Sequence, residues 1–369
     1  MNLFEFRPVQ AAYTENYVNS PEMFLAVRRG IYELGTFDDI VQAGRVRAGV
    51  AALWCSETGD IWNDNRPPFS AGKRSLYIAI RHQQLPLDIV VEEDARSGTL
   101  RDYRVLYLTD QHVSRAASKS IADWVAAGGR LFATARAGTL DELDQPNQVL
   151  MNLMGIEAAP SGTPADENIV FEKQDLPFAA PLETVRWKRG EALTVMPAYG
   201  AVGRFRAKDA EVQATFADGS PAVAVKKVGT GVAMHCGFLP GLTYFKPAIP
   251  LRPVDRGSKP DSMSHFLPTN FERGAAALVD SIAGDVARPI DCSQPLVEST
   301  MIVAPQGVVI PLVNWSAGPV KGLQVTVDGD LPNRAVVLAS GQPVASKRVA
   351  GKNRFTLDLD VADAIILRK

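Results

Sequence analysis

Between Arg47 and Gly138 the chain alternates strand, helix, strand, helix, strand, helix, strand, and that rhythm restricts it to few folds. The runs Val46 to Trp54 and Arg104 to Leu108 are rich in Val, Ala and Leu without the period-two alternation of a half-exposed strand. Both of their faces must therefore be covered. Helices on the two sides of a parallel sheet supply that cover, so the expected class is α/β, a flavodoxin-like parallel sheet.

The helices between the strands carry their own punctuation. Ser20 as N-cap and Pro21 at the first helical position open a helix with Phe24, Val27, Ile31 and Leu34 on one face, and Gly35 stops it. A second helix is expected from about Lys73 to Gln83. A third is capped by Ser114, turns Ala117, Ile121, Trp124 and Val125 inward and ends at Gly128-Gly129. From Asn168 the pattern shifts to short strands: Ile169–Glu172, Glu183–Trp187, Val202–Arg206, Val212–Phe216, and a hairpin turning at Gly229-Thr230-Gly231. A Pro-rich stretch, Tyr244 to Pro268, has no usable period. A helix opened by a Thr269–Glu272 capping box follows, with Phe271, Leu278 and Ile282 on one side. Beyond Pro289 everything reads as short strands with Gly, Pro and Asp turns, a small all-β sandwich. The expected division is a helical lead-in over 1–45, an α/β domain with a β-rich extension over 46–288, and the sandwich over 289–369.

Composition excludes several function classes. The 369 residues carry 39 Lys and Arg against 41 Asp and Glu, a formal charge of -2, so there is no basic footprint for nucleic acid. Three cysteines, Cys55, Cys236 and Cys292, lie far apart, which fits neither a disulfide framework nor a zinc site. No phosphate-cradling glycine fingerprint follows the first strand, and no cofactor or metal is expected. Met1 to Glu22 is broken by charges and prolines, and no later run is long and apolar enough for a membrane span. A cytoplasmic location is the resulting expectation.

Three segments carry a likeness to a known family: Leu53-Trp54-Cys55-Ser56-Glu57-Thr58-Gly59-Asp60-Ile61-Trp62, Ile78 to Asp88, and Arg104-Val105-Leu106-Tyr107-Leu108-Thr109-Asp110. They resemble the β-galactosidase trimerisation domain, the class I glutamine amidotransferase-like module of family 42-like glycoside hydrolases. Trp124 to Leu131 and His235 to Gly241 are similar to later parts of that module, and the β-rich tail is similar to the small C-terminal domain of the same enzymes. The resemblance implies a homo-oligomer, most simply a trimer, and a carbohydrate-linked role. It also implies a (β/α)8 barrel as the catalytic domain, and the 45 residues before the first strand leave no room for one. The paired carboxylates of glycoside hydrolysis are accordingly not assigned, and a non-catalytic oligomerisation or accessory role is expected.

The residues themselves offer candidates. The turn after the third strand, Thr109-Asp110-Gln111-His112, has neither the Cys or Ser nor the flanking glycines of a nucleophile elbow. With the first and third strands adjacent at the switch point, Glu57, Asp60, Trp62 and Asp64 approach Asp110 and His112. Glu92, Glu93 and Asp94 lie one strand away. Such a crevice suits a cation, a sugar hydroxyl network or acid–base chemistry, and the same carboxylates equally suit capping and solvation of the loops. Two alternatives to the accessory role stay open: a stand-alone hydrolase using Glu57, Asp60, Asp110 and His112, and a carbohydrate-binding module using Trp54 and Trp62, to which Trp187 adds a third candidate ring. A nucleophilic Cys55–His112 pair is the weakest reading, because Cys55 follows the wrong strand. His235 and Cys236 alternate on one strand and point to opposite faces.

Overall fold

The computed structural model describes residues 21–46, 49–158, 180–248, 270–332 and 335–369. The expected strand Ile169–Glu172, the arm beyond residue 248, Ser20 and Thr269 lie outside the described residues. The chain enters through helices α1 (Pro21–Gly35) and α2 (Asp38–Ala43) and a two-residue strand β1 (Arg45–Val46). A parallel series follows: β2 (Ala51–Trp54), α3 (Glu57–Ile61), α4 (Phe69–His82), β3 (Leu87–Val90), α5 (Glu92–Arg96), β4 (Val105–Leu108), α6 (Arg115–Ala126) and β5 (Arg130–Ala133). The order β3-β2-β4-β5 places the first and third strands of the series side by side, as in a flavodoxin-like sheet.

The uninterrupted apolar runs have the predicted cause. Alternate residues of one strand enter different cores: Ala51, Leu53, Val105 and Tyr107 pack with Leu76, Ala79 and Ile80 of α4. Ala52, Trp54, Leu106 and Leu108 pack with Ala117, Ile121 and Val125 of α6. Both faces are thus covered, and every residue of β2 and β4 is buried. The left-handed backbone of Gly128, φ 118°, turns the chain from α6 into β5.

The expected first strand is shorter than its hydrophobic run. Arg45 and Val46 do not join this sheet but pair with Val303 and Ile302 near the other end of the chain. After α7 (Gln148–Met154) and β6 (Ile156–Ala158) come the antiparallel strands β7 (Glu183–Arg189), β8 (Ala192–Ala198), β9 (Phe205–Ala207), β10 (Glu211–Phe216), β11 (Pro221–Val228) and β12 (Gly231–Cys236). β12 lies parallel to β5 and joins β11, β10, β7 and β8 to the parallel part, giving nine strands in one sheet. Val202, expected within a strand, makes only an isolated bridge to Phe238, and the strand proper begins at Phe205. α8 (Pro240–Phe245) starts on a proline and packs backbone to backbone on α4, where a side chain at Gly241 would stand on the Leu76 amide. α9 (Arg273–Ser281) is capped by its own Glu272, whose carboxylate accepts from the Gly274 and Ala275 amides.

The remainder forms two antiparallel sheets around one core. β13 (Ile290–Cys292), β17 (Val320–Val327), β20 (Lys352–Leu359) and β19 (Ala345–Val349) make one sheet; β14 (Val297–Ser299), β15 (Ile302–Ala304), β16 (Gly307–Asn314), β18 (Ala335–Leu338) and β21 (Ala362–Arg368) make the other, with β1 at its edge. Ile310, Val325, Phe355, Ile365 and Leu367 fill the space between them. Ala364 and Ile366 face outward, yet they are buried because Phe37 and Ile40 of the α2 region cover them. Arg368 clamps this helix by pairing with Asp39, 2.8 Å, and donating to the Thr36 carbonyl.

The sandwich is fastened to the α/β part at the end of α4. Arg81 pairs with Glu298, 3.0 Å, and donates to the Ser299 carbonyl, while Gln84 exchanges hydrogen bonds with the Cys292 backbone. His82, between them, sits in a box of Tyr244, Phe271 and Trp315 with Nδ1 2.8 Å from Tyr244 Oη.

Candidate functional site

At the carboxyl ends of β2 and β4 the sheet leaves two loops facing each other. Ser56 caps α3 by accepting from the Gly59 amide, which fixes the loop after β2. Across the gap Asp110, only 1% exposed, accepts from the Ser56 amide at 3.0 Å. Its other oxygen lies 2.5 Å from Lys73 Nζ in an ionic contact. Burial pushes the Asp110 carboxyl above its ordinary range, and the Lys73 ammonium opposes that push.

His112 is held on every polar edge. Its amide donates to Asp64 at 2.7 Å, Nδ1 lies 2.8 Å from the same carboxylate, and Nε2 lies 3.0 Å from Asp144. Burial pulls its pKa down, but the bonds to Asp64 and Asp144 outweigh this and raise it above the ordinary 6.5. The indole of Trp62 stacks on the imidazole, ring centres 5.1 Å apart and planes at 13°, and donates its N–H to the Glu142 carbonyl. Asp141 shapes that far loop by accepting from the Leu143 and Gln145 amides and pairing with Arg115.

The structure therefore brings Trp62, Asp64 and His112 into direct contact and sets Asp110 behind them with Ser56. Glu57 and Asp60 lie on the exposed side of α3, where Asp60 accepts from the Asn65 amide. Glu92 is buried and structural: it accepts from the Thr58 hydroxyl and the Ser114 amide, linking α3 to α6. Cys55 is half-buried, and burial raises its thiol pKa despite the nearby Lys73. With both nitrogens of His112 bound to carboxylates, that ring has no free edge for the Cys55 thiol. Trp54 and Trp187, 0% and 3% exposed, are core residues, whereas Trp62 is 41% exposed. His235 and Cys236 enter opposite sides of the sheet, His235 against the Phe205 ring. Among the described residues no three His, Cys, Asp or Glu side chains converge as a metal site.

Sequence reasoning missed Lys73 and Asp144. Lys73 had a signal: it lies three residues before Leu76 on the apolar face of α4, where a lone cation calls for a buried carboxylate. Asp144 had none, since only the folded Asp141–Gln145 turn, with Asp144 at φ 57°, carries it to His112.

Residues 69–247 match the family described as the β-galactosidase trimerisation domain. Among solved structures, β-galactosidase from Bacillus circulans sp. alkalophilus aligns over 91% of this chain and 44% of its own, with 17% identity and a TM-score of 0.56. A catalytic mutant of a GH42 β-galactosidase from G. stearothermophilus aligns over 87% and 40%, with 15% identity and a TM-score of 0.54. An α-L-fucosidase isoenzyme from Paenibacillus thiaminolyticus aligns over 91% and 51%, with 13% identity and a TM-score of 0.55. At these identities the likeness is one of fold, and the chain spans about half or less of each of those proteins. No curated protein matches it. Among the described residues no helix is long and apolar enough to cross a membrane.

Proposed function

We propose that this chain, whose residues 69–247 carry a β-galactosidase trimerisation domain, is a non-catalytic oligomerisation and accessory module of a β-galactosidase-like glycoside hydrolase system. The observation that carries this reading is how the polar groups at the strand ends are engaged. Glycoside hydrolysis needs two carboxyl groups facing one substrate, one of them with a proton to give. Here Asp110 faces Lys73 and the Ser56 amide, and both oxygens of Asp64 face His112. These groups hold two loops together instead of meeting a substrate.

In this reading residues 46–288 are the oligomerisation unit, 289–369 the sandwich fastened to it, and 1–45 a lead-in whose α2 leans on that sandwich. A homotrimer is the favoured assembly. Light scattering across a micromolar concentration series is expected to return three times the 39.9 kDa of one chain. A monomer mass throughout rejects the assembly. Turnover of an aryl β-galactoside by the purified chain, abolished by Glu57→Gln or Asp110→Asn, rejects the non-catalytic part and restores the hydrolase alternative.

A further inference from the structure

Trp62 is the one exposed tryptophan among the described residues, at 41%. One face is covered by His112, and the ring N–H is already engaged by the Glu142 carbonyl. The imidazole behind it is itself fixed by Asp64 and Asp144, and the loop beside it by Asp141. The indole is therefore immobilised from behind, and a ligand meeting its exposed surface has little conformational entropy left to remove.

The surroundings narrow the ligand. Ile61, its chain neighbour, and Leu143, next to the Glu142 carbonyl that accepts from the ring, are 80% and 59% exposed and add apolar area nearby. Asp60 and Asn65, which bond each other, lie within three residues of Trp62 in sequence, and the Asp144 carboxylate, half-exposed, bonds the imidazole under the indole. Three such side chains make a patch of a few hundred Å² at most, below the roughly 800 Å² per partner of a stable protein interface. A dry protein contact there would also strip water from carboxylates without supplying donors. A pyranoside brings both halves of the match: a flat C–H face for the indole, and hydroxyl donors for the carboxylates.

We propose that the exposed indole of Trp62, backed by His112 and with the Asp144 carboxylate bonded to that same imidazole, is a binding platform for a pyranoside. It stands independently of the oligomerisation reading. The test uses the full chain labelled with ¹⁵N, with the Trp62 indole signal identified by its loss in Trp62→Phe. Titration with methyl β-galactopyranoside and methyl β-glucopyranoside is expected to shift that signal saturably at millimolar sugar. Trp62→Ala should weaken binding by about tenfold or more, equivalent to about 1.4 kcal/mol, while Trp62→Phe, which keeps a stacking ring, loses less. Matching unfolding midpoints establish that both variants fold. An unmoved Trp62 signal up to the solubility of either sugar, or equal binding by Trp62→Ala, overturns the proposal. An assembly that dissociates in Trp62→Ala with no sugar-dependent shift in the native chain also overturns it, and transfers the patch to a protein contact. A native chain that is monomeric yet shifts with sugar supports it while rejecting the trimer.

Discussion

Lowering the pH from 7 to 5 should narrow the stability gap between the native chain and a His82→Gln variant by about 2 kcal/mol. His82 is 3% exposed, and burial among Tyr244, Phe271 and Trp315 lowers its pKa from 6.5 to about 4. The nearby Glu298 and Arg81 charges act in opposite directions on it. A depressed histidine pKa means that the unfolded chain takes up a proton the folded chain refuses. Its contribution is then fully present above pH 6.5 and is lost as the pH falls toward 4. Each pH unit in that window is worth about 1.4 kcal/mol, and pH 5 lies about 1.5 units into it. Glutamine does not titrate, so the variant lacks this slope. His235, with its pKa lowered to about 3, bends both stability curves alike and cancels in the difference. Urea unfolding followed by far-UV circular dichroism at pH 7, 6 and 5 measures the gap. A gap that stays constant or widens toward pH 5 refutes the reasoning.

Three further outcomes are expected. Asp144→Asn removes one of the two carboxylates that raise His112, so its pKa should fall, read by NMR titration of the imidazole; an unchanged value would show that Asp64 alone sets it. Lys73→Met leaves Asp110 buried beside no cation and should cost about 3 kcal/mol at pH 7, with most of that recovered in Lys73→Met/Asp110→Leu; equal losses in single and double variants would contradict the pairing. Gly241→Ala should destabilise the fold by about 3 kcal/mol, because its methyl group needs the space held by the α4 backbone at Leu76, and a near-neutral unfolding midpoint would show that α8 shifts freely.

The parallel sheet was legible because its signal is local. Ala51 to Trp54 and Val105 to Leu108 announce two-sided burial in four residues each. The sandwich strands were legible by the opposite sign, alternation, as in Leu323, Val325 and Val327 of β17, which enter the core while Gln324 is exposed. The crevice was half legible. Its position follows from strand order, so Trp62, Asp64, Asp110 and His112 could be grouped, but the pairing among them depends on turn geometry and on Lys73 from a helix. What misled was β1. Val46 opens the hydrophobic run expected as one strand to Trp54, and nothing within that run says that Val46 pairs with Ile302 some 250 residues later. The Arg81-His82-Gln83-Gln84 run carried the family likeness without a reason for it. Three of its side chains prove to grip the sandwich and the Tyr244 box.

That distant pairing of β1 has a kinetic meaning. With β1 and α2 seated on the C-terminal sheet, the nine-stranded domain is topologically an insertion inside the small sandwich, and closing a loop of about 250 residues directly costs about 5 kcal/mol of chain entropy beyond the fixed term. Folding of the inserted domain shortens the effective loop to the distance between its own ends. The sandwich edge is then expected to close late, after the inserted sheet has brought its own ends together.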